Sequence, residues 1–92
     1  KRGAVLVNTA RGPVLDDEAV AEALRDGRLA AAGLDVFRDE PRVPAIYRAL
    51  DNAVLTPHLG SGTRETRQAM SRMVWDEIER VATGQPPRHP VP

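Results

Sequence analysis

Apolar residues fall into five blocks along the chain, and short polar or glycine- and proline-containing segments separate them. Residues 4–8 (AVLVN) form a continuous apolar run between Gly3 and the polar pair Asn8-Thr9, which is how a strand covered on both faces reads. Gly12-Pro13 closes the next loop, and Asp16 or Asp17 then offers an N-cap. Asp17 and Glu18 put negative charge where a helix dipole favours it. Ala19, Val20, Ala23 and Leu24 make a stripe at helical spacing, and Gly27 is placed to end that helix. Residues 30–37 (AAAGLDVF) predict a second buried strand, with Gly33 allowing a neighbouring backbone to come close. Residues 38–52 are charged and contain prolines, so they predict a loop with one helical turn around 46–50. Residues 53–56 predict a third strand, stopped by Pro57. From about Thr63 to Thr83, Met70, Met73, Val74, Ile78 and Val81 follow i, i+3, i+4 spacing, with Gly84 as the stop. The tail QPPRHPVP is too rich in proline for regular structure.

The order β-α-β-loop-β-α, with strands apolar throughout, predicts an α/β fold in which parallel strands are joined by helical crossovers. Three short strands and two helices leave a sheet edge open and one face poorly covered. The expected architecture is the distal half of a doubly wound, Rossmann-like sheet followed by a long C-terminal helix. Residues 1–62 would belong to that sheet domain, 63–84 would be a helix packing back toward another domain, and 85–92 a proline-rich tail.

Composition narrows the function. Thirteen Lys+Arg balance thirteen Asp+Glu, and no basic stripe stands out, which argues against nucleic acid or an anionic membrane as partner. There is no cysteine, hence no thiolate chemistry and no disulfide framework, as suits a cytoplasmic protein. No apolar run approaches the ~18 residues of a membrane span. The chain opens on Lys1-Arg2-Gly3 and runs straight into a strand, as a piece of something longer would.

Three side chains able to do chemistry follow strand-like runs: Arg11 after VLVNTA, Glu40 after GLDVFRD and His58 after VLTP. Open α/β sheets hold their ligands at such strand ends. An arginine there can clamp a planar carboxylate, and a histidine can exchange a proton near neutral pH. A glutamate beside the histidine would fix its ring and favour the protonated form. Asp39 competes with Glu40 on pattern alone. Asp35 interrupts an apolar strand and must be satisfied, either by backbone amides or by a ligand's amide. His89, in the tail, reads as surface, and two histidines so placed do not suggest a metal site. Gly60-Ser61-Gly62, ahead of the last helix, is a weak anion-binding motif.

The motifs GAVLVNTARG, GLDVFRDEP and LTPHLGSGTRETRQAM, in this order, resemble the C-terminal part of D-isomer-specific 2-hydroxyacid dehydrogenases, with greatest similarity to the glyoxylate/hydroxypyruvate reductase branch. The resemblance covers all but the tail. It implies that Arg11 binds the substrate's carboxylate and keto oxygen, Glu40 pairs with the catalytic histidine, and His58 donates the proton. It also implies that Thr9, Ala10, Arg11, Asp35, His58, Gly60 and Ser61 line the nicotinamide of NAD or NADP, with Asp35 holding the carboxamide. The substrate would be a small 2-keto acid, no metal would be needed, and the parent would be a homodimer. The family's GxGxxG fingerprint, with its acidic residue about 20 positions on, is not in this chain. Most of the pyrophosphate site and of the substrate wall would therefore come from elsewhere, and the 92 residues alone would be inactive. A different class, the dinucleotide-sensing corepressors of the same fold, can keep the same three residues and is the alternative.

Overall fold

A computed structural model describes residues 1–92, which divide into two compact units, Lys1–Gly60 and Ser61–Pro92. The first unit contains strand β1 (Ala4–Asn8), a 3-10 turn (Gly12–Val14), helix α1 (Asp17–Arg25), strand β2 (Leu29–Leu34), the short helix α2 (Ala45–Arg48) and strand β3 (Ala53–Leu55). The sheet order is β1-β2-β3 and both pairings are parallel, Val7 opposite Gly33 and Leu34 opposite Leu55. The βαβ reading is therefore correct, and all three strands end at the same edge of the sheet.

Local chemistry accounts for the helix. Asp16 is the cap: its carboxylate accepts the Ala19 N–H at 3.1 Å. Gly27 follows at φ 74°, the left-handed conformation that ends a helix and that a Cβ would oppose. Val20, Ala21 and Leu24 are buried against Ala32, Leu34, Phe37 and Tyr47, so the buried face of α1 includes Ala21 where the sequence pattern singled out Ala19 and Ala23. Tyr47 brings α2 into this core, 1% exposed, and its hydroxyl donates to Asp17 at 2.8 Å. The Asn52 side chain ties two further carbonyls, Leu24 O and Ala30 O, into the same layer.

Three elements change their bounds. The strand expected over 30–37 begins at Leu29 and ends at Leu34. The Asp35 N–H still reaches Asn8 O at 3.0 Å, after which the backbone leaves the ladder, while Asp35, Val36 and Phe37 stay buried; burial without pairing is what the apolar pattern cannot distinguish from strand. The third strand stops at Leu55 and the helical turn sits at 45–48. Gly33 does not admit a close backbone: a Cβ there would meet only Val7 Cγ2, at 3.9 Å. The opposite sheet face is bare in this chain, with Val5, Val7 and Val54 each about two-thirds exposed, as the short element list required.

The second unit is helix α3 (Arg64–Ala82) and a tail. Thr63 caps the helix, its hydroxyl accepting the Thr66 N–H at 3.1 Å, and Gly84 follows it at φ 76°. The apolar stripe from Met70 to Val81 is exposed. The tail has no regular element, but it is held to the helix. Arg80 donates to Pro86 O, and Glu77 accepts the Arg88 N–H and lies 2.9 Å from His89 Nδ1. His89 is exposed as expected, yet it has a carboxylate partner that the sequence reading did not give it. No helix is long and apolar enough to cross a membrane.

Candidate active site

The loop after β1 is built by Asn8. Its buried side chain accepts the Ala10 N–H at 3.1 Å and donates to the Arg11 carbonyl at 3.1 Å, so one residue holds both ends of Thr9-Ala10-Arg11. This is an Asx-type turn, in which a short amide replaces backbone partners. Arg11 itself is extended and exposed, and its guanidinium donates to the Ala10 carbonyl at 2.6 Å. Gly12 follows, buried so tightly that a Cβ would overlap the backbone of Phe37 and Arg38. The glycine thereby sets the β1 loop directly against the segment that carries Glu40.

Glu40 is held at both oxygens. Oε1 accepts the Phe37 N–H at 2.9 Å, and Oε2 lies 2.7 Å from His58 Nδ1. The His58 contact, then the Phe37 amide, hold its carboxyl below the ordinary 4.5, with a smaller contribution from the positive charge of Arg11. An ionised carboxylate can only accept, so Nδ1 carries a hydrogen and Nε2 is the nitrogen left to exchange a proton with a ligand. The pair is partly screened: a pocket of about 120 Å³ lined by Phe37, Pro41, Val43 and Pro57 borders both side chains. The geometry selects Glu40 over Asp39, whose backbone instead bridges to Arg42.

Asp35 is only 6% exposed and is satisfied from within the chain. Oδ1 accepts the Thr56 hydroxyl at 2.5 Å and the Leu59 N–H at 2.7 Å, and Oδ2 accepts the Gly60 N–H at 2.7 Å. Thr56 first, then the Leu59 amide, hold its carboxyl below the ordinary 3.8 against the opposing effect of burial. A Cβ on Gly60 would lie 3.1 Å from Asp35 Oδ2 and 3.8 Å from Thr9 Cβ, so Thr9, Asp35 and Gly60 form one cluster. With three donors taken, Asp35 Oδ2 retains room for one more, which suits a primary amide. Ser61 opens the second unit and is exposed. Three residues that build the site, Asn8, Gly12 and Thr56, carry no chemical signal in the sequence, where they mark only a turn, a loop end and a strand end.

A depression of about 840 Å³ lies between residues 13–18 and 38–46 and touches neither Glu40 nor His58. It is an open trough lined by charges of both signs, so volume does not locate the chemistry here. No group of three His, Asp or Glu side chains is arranged to hold a metal.

Parallel strands end at one edge of the sheet, where open α/β folds hold their ligands, and a carboxylate–imidazole pair and an arginine stand on the loops that follow them. The family described as "D-isomer specific 2-hydroxyacid dehydrogenase, NAD binding domain" matches residues 1–60, and the chain belongs to it. Hydroxyphenylpyruvate reductase of Plectranthus scutellarioides is 48% identical over 87 residues, 95% of this chain and 28% of that protein. Glyoxylate reductase of Pyrococcus furiosus is 53% identical over 74 residues, 80% of this chain and 22% of that protein. Among solved structures, the NADPH-dependent glyoxylate/hydroxypyruvate reductase of Sinorhizobium meliloti, in complex with NADP and malonate, superposes with a TM-score of 0.85. It is 39% identical and the match covers 97% of this chain and 28% of that one. The chain thus spans about a quarter of the length of the relatives it matches.

Proposed function

We propose that this chain supplies the proton donor and the carboxylate clamp of an NAD(P)-dependent 2-hydroxyacid dehydrogenase that reduces a small 2-keto acid of the glyoxylate or hydroxypyruvate type. The observation that carries this reading is the 2.7 Å contact between Glu40 Oε2 and His58 Nδ1, with Arg11 on the neighbouring loop. Thr9, Ala10, Arg11, Asp35, His58, Gly60 and Ser61 would hold the nicotinamide end of the cofactor, Asp35 through the carboxamide. When bound, the reduced cofactor supplies hydride to the keto carbon. Arg11 balances the negative charge of the substrate's carboxylate and of the developing alkoxide, the kind of preorganised charge that lowers a barrier. His58 gives its Nε2 proton to that oxygen, and Glu40 keeps the ring oriented through Nδ1. The exposed stripe of α3 would pack against a separate substrate domain, in a cytosolic homodimer.

The test is a chimera in which this chain replaces the matching quarter of the Pyrococcus furiosus glyoxylate reductase. Glyoxylate or hydroxypyruvate should be reduced with NADH or NADPH, whereas the 92-residue chain alone should turn over neither. A folded chimera that binds the reduced cofactor yet reduces neither acid would exclude the proposed function.

A further inference from the structure

We infer that Asp35 is the positioning residue of the His58–Glu40 pair, in addition to any contact it makes with a ligand. His58 has φ 56°, the only non-glycine residue of the chain in the left-handed region. A residue with a Cβ stays there only where its surroundings impose it. The surroundings are Asp35. Its carbonyl accepts the His58 N–H at 2.8 Å, and its carboxylate accepts the next two amides, Leu59 and Gly60, at 2.7 Å each. Three successive N–H groups thus converge on one residue, the first on its carbonyl and the other two on its carboxylate, much as backbone amides gather on a bound anion. The Thr56 hydroxyl, two residues before His58, closes the loop on the same carboxylate. Asp35 therefore grips the chain on both sides of His58, and the rigid end of β2 decides where the imidazole sits.

Glu40 arrives by a separate route, from the loop beyond β2, anchored by the Phe37 amide. The 2.7 Å contact with His58 requires both anchors, which are only two residues apart in sequence. Loss of the Asp35 carboxylate leaves the His58 N–H on the Asp35 carbonyl but releases the Thr56 hydroxyl and the Leu59 and Gly60 amides that brace His58 on either side, with the Phe37–Glu40 bond still in place. The inference rests on the functional reading only in giving the imidazole a task.

The experiment follows the side-chain carboxyl of Glu40 by carbon NMR through a pH titration of the 92-residue chain, together with amide hydrogen exchange. In D35N one oxygen becomes an NH₂ that must face an amide donor. Exchange at Leu59 and Gly60 should quicken by about tenfold or more, with β1 and β2 amides unchanged, and the Glu40 titration should move up toward 4.5. Where D35N does not fold, Thr56→Val, which removes a single donor, should move both readouts the same way by less. Faster exchange at Leu59 and Gly60 with the Glu40 titration unmoved would overturn the inference, as would no change in either. Neither readout depends on turnover, so an inactive chimera would sink the functional reading and leave this one standing.

Discussion

Gly12 lies against the peptide group of Phe37 so closely that any side chain at Gly12 would occupy the space of that peptide. The contact joins the loop carrying Arg11 to the segment carrying Glu40, and it is the tightest constraint on their separation. G12A should therefore destabilise by roughly 3 kcal/mol, as an overpacked core position does. G33A, where a Cβ would meet one methyl at 3.9 Å, should change stability by less than about 1 kcal/mol. Urea unfolding of the two variants gives the comparison directly, and equal costs would contradict the packing described.

The Glu40–His58 contact sets a pH dependence whose sign is fixed. Glu40 titrates below its ordinary 4.5 because His58, then the Phe37 amide, stabilise its charged form. Its contribution to stability is thus fully present above the unfolded value and is lost as pH falls through the lower folded value. Between pH 7 and 3, Tm of the native chain should fall more steeply than that of Glu40→Gln, with most of the difference arising below pH 4.5. The variant keeps an acid limb, because Asp26, Asp35 and Glu77 are also held below their ordinary values.

Tyr47 tests the core under the site. Its hydroxyl bonds Asp17 across 30 positions of sequence, and burial together with that bond pushes its ionisation well above the ordinary 10.0. Tyr47→Phe should cost about 1.5–2 kcal/mol, the lower end for a hydrogen bond to a charged group, whereas Tyr47→Ala should cost about 3–5 kcal/mol for the lost ring. Thermal or urea denaturation distinguishes the two. A Phe variant as damaged as the Ala variant would mean that the bond, and not the ring, holds α2 to α1.

The roles proposed for Arg11 and His58 separate kinetically in the chimera. His58→Ala should lower kcat by about 10²–10⁴-fold, the usual worth of a general acid. Arg11→Lys keeps the charge but not the planar two-point clamp, so its main effect should be a KM for the keto acid raised by about tenfold. A KM effect confined to His58→Ala, or a kcat effect confined to Arg11→Lys, would reverse the assignments.

The strand and helix order was legible in the chain because local rules govern it. Continuous apolar runs mark parallel strands, Asp16 and Thr63 cap their helices, and Gly27 and Gly84 end them at positive φ. The three candidate residues stood out for a similar reason, since each follows an apolar run, and the strands end at the edge where open α/β sheets hold ligands. The end of β2 was not legible, because residues 35–37 are as buried as a strand although the regular ladder ends at Leu34, with only Asp35 still bonded to Asn8 and His58 through its backbone.

By itself, the sequence determined the βαβ order, the capped helices, the absence of cysteine and the presence of one arginine, one glutamate and one histidine at strand ends. Only the tertiary structure decided which glycine needs its missing side chain, which acid meets His58, and that Asp35 turns its charge inward onto the His58 loop. The reason is that hydrogen bonds between Asp35 and Gly60, or contact between Gly12 and Phe37, join positions about 25 residues apart. No local periodicity records such distances; they exist once parallel pairing has brought the strand ends to one edge.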